Sequence, residues 1–279
     1  MPLVNLNDVL PEALNQKIAI GAFNVVDITF LEAIVQAAEI MKTPVILNIA
    51  EPHLPFMDLD LLCPAIHAAA KRSDIPVILN LDHGLSMETV ERAISAGFTS
   101  VMIDGSLLPF HENVRLTREV VKKCGPLNIS VEAELGSVGG DGTGAKEAEA
   151  DPSLYTDPER AGEFVSSTGV DALAVSIGNV HGRYRSKPKL DFDRLKEIRG
   201  RAKIPLVLHG GSGLAPEDFR RAISLGIAKI NYFTGMSNAA LKAVNDSIEP
   251  FPGYPEMLQS IKEVVRDVVI EQMRIFQNQ

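Results

Sequence analysis

Eight short apolar runs with β character recur along the chain, at 17–23, 44–49, 76–81, 99–104, 128–135, 171–177, 204–209 and 227–231. Most are continuous rather than alternating, as in PVILNI and IPLVLH, which is the pattern of parallel strands covered on both faces. Parallel neighbours need a long crossover, normally a helix, and helix signals fill the gaps. ITFLEAIVQAAEIMK (28–42) spaces its apolar residues helically, and SMETVERAISAG (86–97) opens on a Ser cap and ends in Gly. APEDFRRAISLG (215–226) has Pro near its start and Gly after its end. Eight β-then-α units in 279 residues predict an α/β fold, a closed (β/α)8 TIM barrel forming one domain over 1–279. The rival is an open doubly wound sheet, which usually carries a Gly-rich turn after its first strand; here that strand leads into FNVVD. Segment 255–276 predicts an additional C-terminal helix that packs outside the eight units or joins subunits.

Composition narrows the partners. A net charge of -9 repels nucleic acid and anionic membranes, so neither is expected to bind. A phosphorylated substrate would need local donors rather than the overall field. The chain has no 18-residue apolar run, and MPLVNLNDVL lacks the layout of a signal peptide. Cys63 and Cys124 are far apart and read as reduced thiols, so the expected location is cytoplasmic.

The chemistry gathers where the apolar runs stop. VILNLDHGLS (77–86) ends a buried-strand pattern with Asp82 and His83, two groups costly to bury unpaired. Asp104 ends the fourth run, Glu132 and Glu134 the fifth, His209 the seventh and Asn231 the eighth, while His181 follows the sixth. In a barrel these ends converge on one mouth. Three imidazoles with nearby carboxylates suit Zn²⁺, although no local HxxH or HxxxH spacing supports them independently of the fold. His67 and His111 read as helix-surface residues, and His53, in EPHLPF, could face the mouth. HGGSG (209–213) combines glycines, a hydroxyl and the start of a helix, a turn that binds phosphate well, and Asn231 and Thr234 could add donors. GGDGTGAK (139–146) lacks the GK[ST] ending of a nucleotide loop. Two long segments, 136–157 and 178–191, follow the fifth and sixth runs on the face where barrels build their sites.

LDHG (81–84), SVMIDGS (100–106), VEAELGSVGG (131–140), SIGNVHG (176–182), LVLHGGSG (206–213) and KIN with Thr234 resemble, in order, the signature segments of class II, zinc-dependent fructose- and tagatose-bisphosphate aldolases. The resemblance runs from GAFNVVD (21–27) to KEVVRDVV (262–269). It implies that His83, His181 and His209 hold a catalytic zinc, with Glu134 an alternative or second metal ligand and Asp104 beside it. It implies that Asp82 exchanges a proton with the C4 hydroxyl. Gly182, Gly211, Ser212, Asn231 and Thr234 would surround the phosphate of dihydroxyacetone phosphate, and Asn24 would contact the triose. A monovalent cation (Na⁺ or K⁺) near the phosphate, and a homodimer or homotetramer, also follow from the family. No strand end clearly offers a Schiff-base lysine, which a zinc enzyme does not need.

The chain departs from the family pattern in three places. The loop after the paired glycines reads GGDGTG, with Asp141 as its nearest acid. Ala50 stands where a Ser is usual. FPGYPEML (251–258) lacks the Arg that commonly reaches the distal phosphate. Losing a bidentate Arg is not conservative. The expected substrate is therefore a ketose 1-phosphate whose far end carries no phosphate. Arg183 and Arg185 could read a charged tail, or form a solvated loop. The alternatives are a tagatose- or fructose-1,6-bisphosphate aldolase and a non-catalytic aldolase partner subunit. A metal-dependent hydrolase would show HxH on its first strand, which KIAIGAF lacks.

Overall fold

In a computed structural model that describes residues 3–140, 147–247 and 251–279, every apolar run becomes a parallel strand. The strands are β1 (Ile20–Asn24), β2 (Val45–Ala50), β3 (Val77–Gly84), β4 (Ser100–Ile103), β5 (Ser130–Leu135), β6 (Ala172–Val175), β7 (Leu206–Leu208) and β8 (Ile227–Tyr232). They close in sequence order, β1 pairing with both β2 and β8. A helix follows each strand, and two further helices lie outside the units, Leu10–Gln16 and Tyr254–Phe276. The fold is the TIM barrel with a C-terminal helix.

The continuous runs hide a period of two. Leu47, Leu79, Val101, Val131 and Leu173 face the surrounding helices. Ile46, Ile78, Met102, Ala172, Ala174, Val207 and Ala228 fill the barrel interior. Because both faces are apolar, the alternation inherent to a strand leaves no trace in polarity. The N-terminal helix, absent from the sequence reading, belongs to the interior layer: its Leu10 and Ala13, with Leu6 just before it, close the barrel floor. The C-terminal helix packs on Ile28–Met41 and Thr234–Asn245, and its Phe276 ring sits 5.2 Å from that of Phe219. Both cysteines are free and buried, and burial pushes each thiol up to about 11. Among the described residues no helix is long and apolar enough to cross a membrane.

The two long segments after β5 and β6 pair with each other. Glu147 and Ala148 lie parallel to Arg183 and Tyr184, and Gly139 bridges to Val180. His181 donates its backbone N–H to Gly139 over 2.7 Å. The loop carrying His181 is thus held by backbone bonds to the loop after β5. Asp141 lies outside the described residues.

Candidate active site

Neighbouring residues on a regular strand face opposite ways, so Asp82 and His83 should not both reach the mouth. The end of β3 solves this with a bulge. Its register to β4 runs Asn80–Ser100 and Leu81–Val101, then slips to Gly84–Ile103, leaving one extra residue on β3. His83 takes a left-handed φ of 50°, an uncommon conformation for a residue with a Cβ. The strained turn aims both side chains at the mouth.

Three imidazole nitrogens converge there. His83 Nε2 lies 3.1 Å from His181 Nε2 and 3.0 Å from His209 Nδ1, and the last two are 3.5 Å apart. The opposite nitrogen of each ring is already engaged. His83 Nδ1 is 2.8 Å from Asp104 Oδ2, His209 Nε2 is 2.9 Å from Glu132 Oε1, and His181 bonds the Val138 backbone. With the outer nitrogens donating to oxygen, neutral rings would turn three lone pairs toward one point. Tetrahedral zinc with bonds of about 2.0–2.1 Å would space its nitrogens about 3.3 Å apart, close to what is found. Ligand histidines characteristically donate their other N–H in this way.

The electrostatics of the cluster also ask for a cation. Burial opposes charge on His83, yet Asp82, Asp104 and Glu134 outweigh it and raise its pKa to about 10. Burial and the neighbouring His83 lower His181 to about 4 and hold His209 well below its ordinary value. One positive charge is therefore favoured among three rings, and a divalent ion can take its place. His83, Asp104 and Glu134 form a second group with ligand atoms within 4.8 Å. Glu134 is raised to about 8, chiefly by burial and then by Asp104. Its Oε1 accepts the Val138 N–H, while Oε2 has no hydrogen-bond partner among the described residues. Asp104 accepts from Ser106 as well as facing His83, so in this arrangement it orients the His83 ring.

Asp82 is 3% exposed. It accepts from Asn231 Nδ2 at 2.8 Å and, more weakly, from Asn24 Nδ2 at 3.4 Å. Burial pushes its carboxyl up, but His83, His209 and Lys229 prevail and hold it below its ordinary value. A buried anion beside the imidazoles is suited to accept a proton from a ligand bound there.

The pocket over this cluster is lined by Asn24, Asp82, His83, His181, Gly182, Gly211, Ser212, Asn231 and Thr234, joined by Gly210, Tyr232 and Phe233. The structure thus brings together the residues of the sequence reading, with Asp104 and Glu134 just behind His83. Gly210 has a φ of +65°, and a Cβ there would meet the Val180 carbonyl at 2.1 Å, so no other residue fits. Tyr184 braces the same turn: its hydroxyl donates to Gly210 O and accepts from Val180 N. Tyr184, Tyr232 and Phe233 went unnoticed in the sequence because aromatics at a barrel mouth look like core residues.

The other flagged residues scatter. His53 is buried against the Phe233 ring at 4.7 Å, with Nδ1 unpartnered among the described residues. His111 is exposed, as expected, but His67 is half-buried and contacts the Ala96 carbonyl, capping a neighbouring helix. Arg183 reaches out to Asn238 on the surface and Arg185 is exposed; neither lines the pocket. Lys229 and Glu132 sit inside the barrel, 2.7 Å apart and wholly buried.

Residues 4–279 match the family described as Fructose-bisphosphate aldolase class-II. The chain belongs to that family. A fructose-bisphosphate aldolase of Geobacillus stearothermophilus is 41% identical over 99% of this chain and 97% of its own. The protein YdjI of Escherichia coli K12 is 41% identical over 95% and 94%. The crystal structure of the YdjI aldolase superposes with a TM-score of 0.89, covering 98% of this chain and 97% of that one at 37% identity. Class II aldolases are lyases, so the site described above is read as a lyase site.

Proposed function

We propose that the protein is a zinc-dependent aldolase that reversibly cleaves a ketose 1-phosphate to dihydroxyacetone phosphate and an aldehyde, and that its substrate is not a standard hexose bisphosphate. The observation that carries this is the meeting of three imidazole nitrogens beside a buried Asp82, at the edge of a pocket lined by Gly210 and Gly211.

His83, His181 and His209 would hold the zinc, which when bound supplies Lewis acidity for the negative charge that develops on the triose half. Asp82 takes the proton of the C4 hydroxyl as the C3–C4 bond breaks, and returns it in the condensation direction. Asn231 holds Asp82 by a hydrogen bond to Oδ1, fixing the direction of transfer. The backbone around Gly211 and Ser212 and the start of helix Thr234–Asn245 offer donors to the single phosphate.

The substrate part rests on charge. None of the described residues lining the pocket is Lys or Arg. Phe251, in the segment where the distal-phosphate Arg is expected, lines a surface groove with Ala239 and Lys242 instead. The test compares dihydroxyacetone phosphate release from ketose 1-phosphates and from fructose and tagatose 1,6-bisphosphate, before and after chelation. Faster turnover of a 1-phosphate, lost on chelation and restored by zinc, is expected. Preference for a bisphosphate would establish the conventional alternative, and undiminished turnover after stripping would remove zinc from the mechanism.

A further inference from the structure

The strand β8 places a lysine where nothing in the sequence pattern marked one. Lys229 points into the barrel interior with no exposed surface, 2.7 Å from Glu132 Oε2. The other oxygen of Glu132 lies 2.9 Å from His209 Nε2. A cation, a carboxylate and an imidazole thus run in line from the barrel interior to the metal cluster, every member fully buried.

Two roles fit a buried lysine in a barrel of this kind. One is covalent, by Schiff-base formation with a ketone. The geometry disfavours it, because Lys229 is absent from the pocket lining and its ammonium is held by Glu132. The other acts through its neighbours. A carboxylate can only accept, so Glu132 forces the His209 proton onto Nε2 and leaves the Nδ1 lone pair facing His83 and His181. Burying that carboxylate alone would be costly, and removing one partner of such a pair is usually strongly destabilising.

We propose that Lys229 is a positioning residue for the metal centre: its ammonium anchors Glu132, and Glu132 fixes the tautomer and orientation of His209 toward the ion. The inference rests on the zinc reading above and adds to it a determinant of affinity lying beneath the site.

The experiment measures Zn²⁺ affinity of the full chain by competition with a fluorescent chelator, alongside melting temperature. The variants are Lys229→Met and the double Lys229→Met/Glu132→Gln. The single variant leaves a buried carboxylate unpaired, so it should melt lower and bind zinc about 10–100-fold more weakly, the usual effect of removing outer support from a ligand. In the double variant no unpaired charge remains, so the melting temperature should recover while affinity stays low. ¹⁵N NMR of the metal-free protein gives a second readout. An amide can donate or accept, so His209 should show one tautomer in the wild type and two in the double variant.

Zinc affinity that recovers together with stability would reduce Lys229 to a structural ion pair and overturn the proposal. So would unchanged affinity in both variants, or trapping of a Lys229 adduct by borohydride in the presence of dihydroxyacetone phosphate. A wild-type chain that binds no zinc would instead overturn the reading of the site itself.

Discussion

The floor and the mouth of this barrel are built from the same eight strands and obey opposite rules. At the floor, Ile46, Ile78, Met102 and Val207 interlock with Leu6 and with Leu10 of the N-terminal helix. The strands there keep their register except for one slip on β8, between Ile227 and Lys229, and the layer is apolar. A few residues further along each strand, the mouth holds a bulge, a histidine at positive φ, and buried Asp, Glu and His side chains. The floor can stay close to regular because only packing is asked of it. The mouth collects groups that are costly to bury, and a rigid scaffold below keeps them from relaxing apart.

If that division holds, damage at each end should appear in a different measurement. The largest effect is expected from Asp82→Asn: turnover should fall about 10²–10⁴-fold, the usual share of a general base, while zinc content stays the same. Retained turnover would show that the proton is handled elsewhere. Ile78→Ala at the floor should do the reverse. Stability to denaturant should drop by about 2–5 kcal/mol, as for other large-to-small core changes, with kcat/KM in the cold close to wild type. Activity lost in step with stability would mean the floor and mouth are one cooperative unit.

Smaller effects lie between the two. Gly210→Ala must relieve both a positive φ and a 2.1 Å approach to Val180 O. It should cost about 1–3 kcal/mol of stability and raise KM for phosphorylated substrates. A change in kcat alone would detach this turn from phosphate binding. The smallest effect concerns Glu134 in metal-free protein. Its pKa rises from 4.5 to about 8 on folding, so the folded state keeps a proton that the unfolded chain releases. The stability this contributes is complete below pH 4.5 and is lost as pH climbs to about 8. Metal-free Glu134→Gln should therefore lose less melting temperature between about pH 6 and pH 8 than wild type. Each kcal/mol is worth about 2–4 °C in a chain of this size. Identical losses would show that Glu134 does not titrate in that window.

Much of this could be seen in the sequence because it is local. A strand in a parallel barrel is buried on both sides, so its apolar run is visible without knowing its neighbours. A Ser at position 86 caps its helix by a bond to Thr89, three residues on. Polar residues at the ends of such runs then mark the mouth, which is how Asp82, His83, Asp104, Glu134, His181, His209 and Asn231 stood out. The residues that escaped notice are those whose meaning depends on a distant partner. Lys229 looks like a lapse in an apolar strand until Glu132, 97 positions earlier, is found beside it. The N-terminal helix is too short to announce itself and is held by the barrel floor it covers.

By itself, then, the order of residues determined the number of strands, the barrel, the end at which the chemistry lies and the family. The strands and the barrel are consequences of hydrophobic period and of short-range capping, which act within a few residues, while the family showed only in the resemblance of the motif segments. Only the tertiary structure decided that His209 offers Nδ1 rather than Nε2, that Asp82 and His83 turn the same way, and that Arg183 faces solvent. These depend on contacts 21 to 126 residues apart in the chain. The closed barrel brings such groups within hydrogen-bonding range, and no local propensity encodes them.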